Sequence, residues 1–527
     1  MTHLAVTAAG SLIQSIDWAA VAPLLVTAAT ALGVLVGDLF LPEPRKRLLG
    51  WISVGGLLLA LIFLVPLRDG DRATFCVRAA GAPGDAPACS YVADHFALVI
   101  QLLVLAGALL AALLSIHTVE ADRLPSGEFW FLLLSSVTGA ALLPAARDLA
   151  TLVVALETVS LPAFALVGLR RDGRGGEAAL KFFLSSVTAT AVMLLGVSFV
   201  YAATGSMHLT RIAAALPHVP AQLKTLALVG VVLTLVGFAF KTAAVPFHFW
   251  VPDTYAGAPV PVAAYLSVVS KVAGLSGLAL VSVVGFHSYG RTWGLALAIL
   301  AALTMTLGNV GALRQRTDAP HSAVRLLAWS SIAQAGYLLV PIAAAGYGTA
   351  APGRDPLGAT VAYALIYGVV NLGAFAVVAL IVGRIDDYRG LFASRPATAL
   401  VMAFFLLCLA GLPPGVIGLF GKVVVFRAAI DSGLGWLAVV MAVNVVIALY
   451  YYLGWTAKIF QATPVPAAPA VPVHTTPDSA VPVAASAAVR RLPLPIALCL
   501  GLATVVGVVL SVAPQLVLQV TSGSLFR

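Results

Sequence analysis

Charge is scarce in this chain. Of its 527 residues only 10% are Asp, Glu, Lys or Arg, while 61% are hydrophobic and the mean hydropathy is +1.02. Apolar stretches of about 18 residues or more recur from end to end, which excludes a soluble enzyme and implies a polytopic membrane protein. Cysteine is nearly as rare, at four residues. Cys408 and Cys499 fall in apolar runs and read as small packing residues. Cys76 and Cys89 share one polar segment, where a disulfide is open if the segment faces outside. No spacing suits an iron–sulfur cluster, and no strand runs into a Gly-rich dinucleotide turn, so no redox chemistry by this polypeptide is visible. No basic stretch precedes the first apolar run near Trp18, and no convincing signal-peptidase site interrupts it; a retained first helix follows. The net charge of +9 is scattered over short loops, a mark of membrane topology rather than of nucleic-acid binding.

What is present is an all-α pattern of about fourteen transmembrane spans. They run near 18–41, 49–67, 96–116, 129–146, 149–169, 178–203, 225–260 (broken), 262–285, 292–313, 323–346, 357–382, 398–432 (broken), 434–457 and 492–519. Each intact span is long enough for a hydrocarbon core of about 30 Å. With the N-terminus outside, about sixteen basic residues face inside against about ten outside. The inside set includes Arg45–Arg47, Arg170, Arg171, Arg174, Arg325, Arg384 and Lys458. Both termini and the segment with Cys76 and Cys89 are then outside. Residues 68–94 read as a polar outside loop, and 461–489 as a Pro/Ala-rich inside linker that cannot form a continuous helix. The organisation expected is an N-terminal three-helix segment (1–128), a five-helix repeat (129–285), a second, inverted five-helix repeat (286–458), the linker (459–491) and a C-terminal helix (492–527). Two inverted repeats, each with a broken helix, are a transporter pattern.

Three lysines stand alone inside apolar runs: Lys241, Lys271 and Lys422. A charge near the centre of a membrane helix costs about 2.5–3.5 kcal/mol on insertion scales, so its presence points to a proton or ion path. Lys241 ends a half-helix five residues before Pro246, in GFAFKTAAVPFHFW (237–250); Lys422 follows Pro413 and Pro414, in LAGLPPGVIGLFGK (409–422). Proline frees backbone carbonyls that water or polar groups must satisfy. Burial disfavours the charged form of a lysine and a carboxylate restores it, so a lysine with a mobile partner is a proton switch. Glu157, in LVVALETVSLPAFAL, is the carboxylate expected to pair with Lys241. Lys271 sits about ten residues into its helix, with Ser267 and Ser270 nearby to hold water. The competing reading for the lysines is snorkelling to an interface; it is weakest for Lys271. His248, after the first break, suits proton relay or a structural hydrogen bond equally. Tyr450, Tyr451 and Tyr452 read as an interfacial aromatic cluster. Asp38, Asp386 and Asp387 fall at the inside boundary and read as solvated.

These segments also carry a resemblance. ALETVSLPAFALVGL, EAALKFFLSS, GFAFKTAAVPFHFWVPDTYAGAPVPVAAYLSVVSK, RLLAWSSIAQAGYLL, NLGAFAV, LAGLPPGVIGLFGK and LYYYL resemble, in order over residues 100–460, subunit N of bacterial NADH-quinone oxidoreductase, respiratory complex I. The resemblance implies fourteen helices in two inverted repeats, a bacterial plasma-membrane location, and proton translocation driven by redox chemistry elsewhere. It implies no cofactor in this chain; FMN, iron–sulfur clusters and quinone belong to partner subunits. It implies as partners the other membrane subunits, including further antiporter-like ones, and the lipid bilayer, with no nucleic acid. Glu157 matches the family's glutamate of a Glu–Lys pair, Lys241 its lysine, Lys271 the central lysine and Lys422 the terminal one. At Gln334, in SSIAQAGY, the family often has histidine; glutamine holds water but takes up no proton. The alternatives are a subunit of a multisubunit sodium/proton antiporter, which shares the fold and lysine motifs, and a structural subunit that no longer pumps. Idle buried charge would be costly, which argues against the last.

Overall fold

The computed structural model describes residues 16–77, 87–348, 356–462, 492–521 and 525. Apart from one hairpin it is built from helices. Seventeen are used below: α1 (Trp18–Phe40), α2 (Arg47–Ile62), α3 (His95–Ala121), α4 (Ser126–Leu142), α5 (Leu149–Gly168), α6 (Gly173–Thr204), α7 (Lys224–Lys241), α8 (Trp250–Gly257), α9 (Val260–Gly285), α10 (Gly290–Leu313), α11 (Ser322–Ala345), α12 (Pro356–Leu380), α13 (Pro396–Ala410), α14 (Val416–Asp431), α15 (Gly435–Phe460), α16 (Leu494–Val512) and α17 (Gln515–Thr521). Among the described residues, thirteen helical stretches are long and apolar enough to span a bilayer. The pair α13/α14, broken at Pro413–Pro414, completes fourteen, and α7/α8 is broken around Pro246. The all-α polytopic architecture with two broken helices is as the sequence implies. The proposed linker 461–489 lies, beyond Gln461 and Ala462, outside the described residues.

Carboxylates start several helices by accepting free backbone N–H groups of the first turn. Asp17 takes Ala19 N and Ala20 N at 3.0 and 3.1 Å; Asp94 takes Ala97 N at 2.9 Å and Asp148 takes Thr151 N at 2.8 Å. Charged side chains then gather at the two helix-end layers. One layer holds Lys46 with Asp38, Arg47 with Glu120, Arg170 with Asp122, Asp253 with Lys181 and Arg325, and Asp386 with Lys458. Asp38 and Asp386 are therefore ion-paired at the boundary rather than simply solvated. The other layer holds Asp17 with Arg72 and a buried Asp94–Arg147 pair.

Within the 68–94 segment, the described residues form two strands rather than a loop. Strands β1 (Arg72–Val77) and β2 (Ala88–Ala93) pair antiparallel, with Cys76 opposite Cys89 and the two joined as a disulfide. Polar composition hid the hairpin, because short strands on a membrane protein's rim leave little hydrophobic alternation to read.

Depth decides where function can lie. In α9, α11 and α12, 89%, 94% and 89% of the apolar window is buried, against 33% in α6 and α15. Those three helices form the axis, with α3 next at 78% buried.

Candidate functional site

All three lysines reach the axis, and each is buried (2–3% exposed). Lys241 is the last residue of α7. Helical geometry stops behind it because Ala243 takes φ +62°, a left-handed conformation costly for alanine. Its Nζ donates to Ser160 Oγ of α5 at 2.9 Å and lies 5.7 Å from the centre of the Phe182 ring. Its stem runs along α9 at Gly274, where an added Cβ would come within 2.8 Å of Lys241 Cγ. Gly274 is one helical turn beyond Lys271, so the close approach brings two lysine positions together.

Lys271 follows a π-helical turn, Leu266–Ser270, and a second π segment closes α9. Such wide turns shift the hydrogen-bond register and are frequent at functional sites. Lys271 Nζ donates to Ser331 O at 2.6 Å and Ser331 Oγ at 2.5 Å. Tyr367 OH donates to the same Ser331 Oγ at 2.9 Å and to Ser267 O at 3.3 Å, and Asn371 donates to Ser267 Oγ at 2.7 Å. One turn further along α11, Gln334 accepts from Tyr363 OH and donates to Tyr452 OH at 3.4 Å; Tyr452 also bonds Ser330 Oγ at 2.5 Å.

Lys422 completes the row. It projects from α14 into the break and donates to Leu409 O at 3.0 Å and Ala410 O at 2.6 Å. These are terminal carbonyls of α13, the negative end of a half-helix dipole. Gly411 (φ +85°) turns the chain there, and a Cβ on it would sit 3.3 Å from Lys422 Nζ. The ammonium lies 6.0 Å from the Tyr337 ring centre, and Tyr337 packs 6.1 Å from Tyr363. Hydrogen bonds and aromatic contacts thus lead from Lys271 to Lys422 with few gaps.

Two expectations need correction. Glu157 and Lys241 form no ion pair within 4 Å: Thr190 Oγ1 donates to Glu157 Oε1 at 2.7 Å, and Lys241 turns to Ser160, nearly one turn away on the same helix. The tyrosine trio is not an interfacial cluster. Tyr450 is 74% exposed, but Tyr451 and Tyr452 are buried (6% and 0%) and hydrogen-bonded, Tyr451 to Asn309 at 2.9 Å. Consecutive helical residues point about 100° apart, so a YYY run cannot share one environment. His248 lies half-buried, its ring 5.8 Å from that of Trp329; no hydrogen bond joins it to a lysine. Among the described residues no cluster of His, Cys, Asp and Glu could hold a metal ion.

Residues 146–448 match the family described as NADH:quinone oxidoreductase/Mrp antiporter, TM. A protein of Streptomyces griseus subsp. griseus named NADH-quinone oxidoreductase subunit N 2 is 64% identical over 525 residues, covering 98% of this chain and 96% of the relative. The NADH-quinone oxidoreductase subunit N of Salinispora tropica is 42% identical over 532 residues, covering 97% of this chain and 100% of that one. The chain belongs to the NADH-quinone oxidoreductase subunit N family. Among solved structures, a chain of respiratory complex I from Thermus thermophilus is 30% identical with TM-score 0.71, covering 95% of this chain and 100% of that chain. A chain of the Mrp complex from Dietzia sp. has TM-score 0.76 at 22% identity, covering 96% of each, and shares the fold alone. The sodium/proton antiporter alternative is therefore not favoured.

In this chain, sequence reasoning found the charges and missed the groups around them: Ser160 and Ser331, which accept from Lys241 and Lys271, and the donors Tyr363, Tyr367 and Asn371. A signal existed. Ser330, Ser331, Gln334 and Tyr337 in RLLAWSSIAQAGYLL recur at spacings of three and four, one face of a helix. A polar face on an otherwise apolar membrane helix marks a wet or hydrogen-bonded interior.

Proposed function

We propose that this chain is a proton-translocating, antiporter-like membrane subunit of an NADH-quinone oxidoreductase. It carries no redox group itself and is driven by NADH:quinone electron transfer in partner subunits. The observation that carries the reading is three buried lysines whose hydrogen-bond acceptors are neutral. Ser160, Ser331 and the α13 carbonyls hold an ammonium without fixing its charge, and a lysine so held can give up and regain a proton. Glu157 sets the first step: moving its charge changes the field at Lys241 without a direct bond. Gln334, Tyr363, Tyr452 and Ser330 supply a chain of hydroxyls and amides in which waters could complete the passage from Lys271 to Lys422. We also propose that 129–285 and 286–458 are inverted repeats around this axis, and that both termini face outside.

The test is NADH-driven proton translocation in membrane vesicles bearing Glu157→Gln, Lys241→Ala, Lys271→Ala or Lys422→Ala, with assembly checked by co-purification of the flavin and iron–sulfur subunits. Loss of pumping with assembly intact is the expected result. Unchanged pumping in the lysine variants would mean a structural subunit.

A further inference from the structure

On the α2 side of α3, outside the residues that hold the lysines, a groove of about 800 Å³ opens between α2 and α3. One wall is the end of α2 and the turn behind it: Leu61, Leu64 and Leu67. The other is one face of α3, where Leu98, Val99 and Leu102 follow His95 at spacings of three, four and seven. The last helix roofs it: His95 Nε2 contacts Val520 O at 2.8 Å, and Phe96 N donates to Leu525 O at 3.1 Å. The apolar walls are half the observation. The mouth is the other half. Arg68, Asp69 and Asp71 line it, all exposed, and among the described residues none of the three makes an ion pair.

We propose that this groove holds one phospholipid with a zwitterionic amine headgroup, of the phosphatidylethanolamine type. The charges choose the headgroup. A guanidinium binds phosphate through paired N–H groups, and the adjacent carboxylates take the ammonium. A phosphatidylglycerol headgroup would meet two carboxylates for one arginine and is disfavoured. The depth suits an acyl chain lying along Leu98 and Leu102, with the headgroup at the level where α2 ends and charge begins, as at a membrane boundary. The lipid then fills space between α2, α3 and the last turn of the C-terminal segment around Gln519 and Val520.

The experiment is native mass spectrometry and lipid extraction on the chain purified from its own membrane, with whatever subunits accompany it. It is then exchanged into nanodiscs of phosphatidylethanolamine and phosphatidylglycerol in equal amounts. The expected result is one phosphatidylethanolamine retained per chain after extended detergent washing. Leu98→Trp with Leu102→Trp fills the groove and should remove that copy. Asp69→Asn with Asp71→Asn lies on an exposed turn where folding is not at stake, and should shift retention at least several-fold toward phosphatidylglycerol. The proposal is overturned if no lipid is retained, if the two lipids are retained equally, or if both double variants retain lipid like the parent. It is equally overturned if a cysteine at position 102 cross-links to another subunit, because the groove would then hold a protein helix. None of these outcomes depends on whether the chain moves protons.

Discussion

Replacing Lys271 by methionine should separate function from stability. The side chains are similar in volume, so no cavity opens. The variant loses two hydrogen bonds from a charged donor, to Ser331 O and Oγ, worth about 1.5–3 kcal/mol each. It also removes an ammonium from the interior, whose desolvation costs several kcal/mol and is offset by no carboxylate within 4 Å among the described residues. Ser331 Oγ keeps the Tyr367 hydroxyl. The two terms nearly cancel, and Lys271→Met should change stability by no more than about 2 kcal/mol. Proton translocation should fall by about 100-fold or more, the contribution of a positioned proton-transfer group. Lys271→Arg should pump as poorly as the methionine variant, because a guanidinium keeps its proton. The assays are thermal unfolding of the purified complex and NADH-driven acidification of vesicles. Wild-type pumping in either variant would refute the role. So would a loss of about 3–5 kcal/mol in Lys271→Met, the cost of breaking a buried structural pair.

Gln334→Leu should leave the Tyr363 and Tyr452 hydroxyls without Gln334 as a partner, costing about 1–3 kcal/mol in unfolding measurements and slowing pumping; Gln334→His, which can bond both, should keep most of the pumping rate. Ser160→Ala removes the acceptor of Lys241 and should lower vesicle acidification several-fold, while Ser160→Thr restores it; equal rates in the two would separate Ser160 from the path. At the helix-end layer, desolvation raises the Asp386 carboxyl, but Lys458, with help from Thr317 and Arg389, prevails and holds it below the usual carboxylate range. A depressed folded value means stabilisation present above the unfolded pKa of about 3.9 and lost as pH falls through the folded value. Partial exposure keeps it to about 1 kcal/mol at most. Asp386→Asn should therefore be less stable than the parent at pH 7 and match it well below pH 4, as read by unfolding at each pH.

Much of the fold was legible because a bilayer imposes simple rules. Span length, loop charge and proline breaks each follow from the cost of exposing backbone or charge to hydrocarbon. The lysines stood out for the same reason. What stayed hidden was anything inexpensive to bury. Serine and threonine satisfy themselves on the preceding turn of their own helix, as Ser115 and Thr188 do here, so their presence in a span says nothing about a partner. Ser331 becomes a lysine acceptor only because α9 and α11 cross at that level. The hairpin was hidden because its register is fixed by pairing rather than by composition.

The error about Glu157 carries a mechanistic point. A direct ion pair would favour the charged lysine strongly and make proton release from Lys241 costly, since separating paired buried charges costs several kcal/mol. With Ser160 as acceptor and the carboxylate bonded to Thr190, the ammonium is not locked to Glu157. Strength of coupling then depends on how far the carboxylate moves, and the side chain is only half-buried at its own helix surface. Thr190→Val tests this: freed from the Thr190 hydroxyl, Glu157 should swing onto Lys241, and pumping should fall although both charged residues are intact. If Thr190→Val pumps normally, the separation of the pair is incidental, and the direct ion pair expected from sequence is the working state.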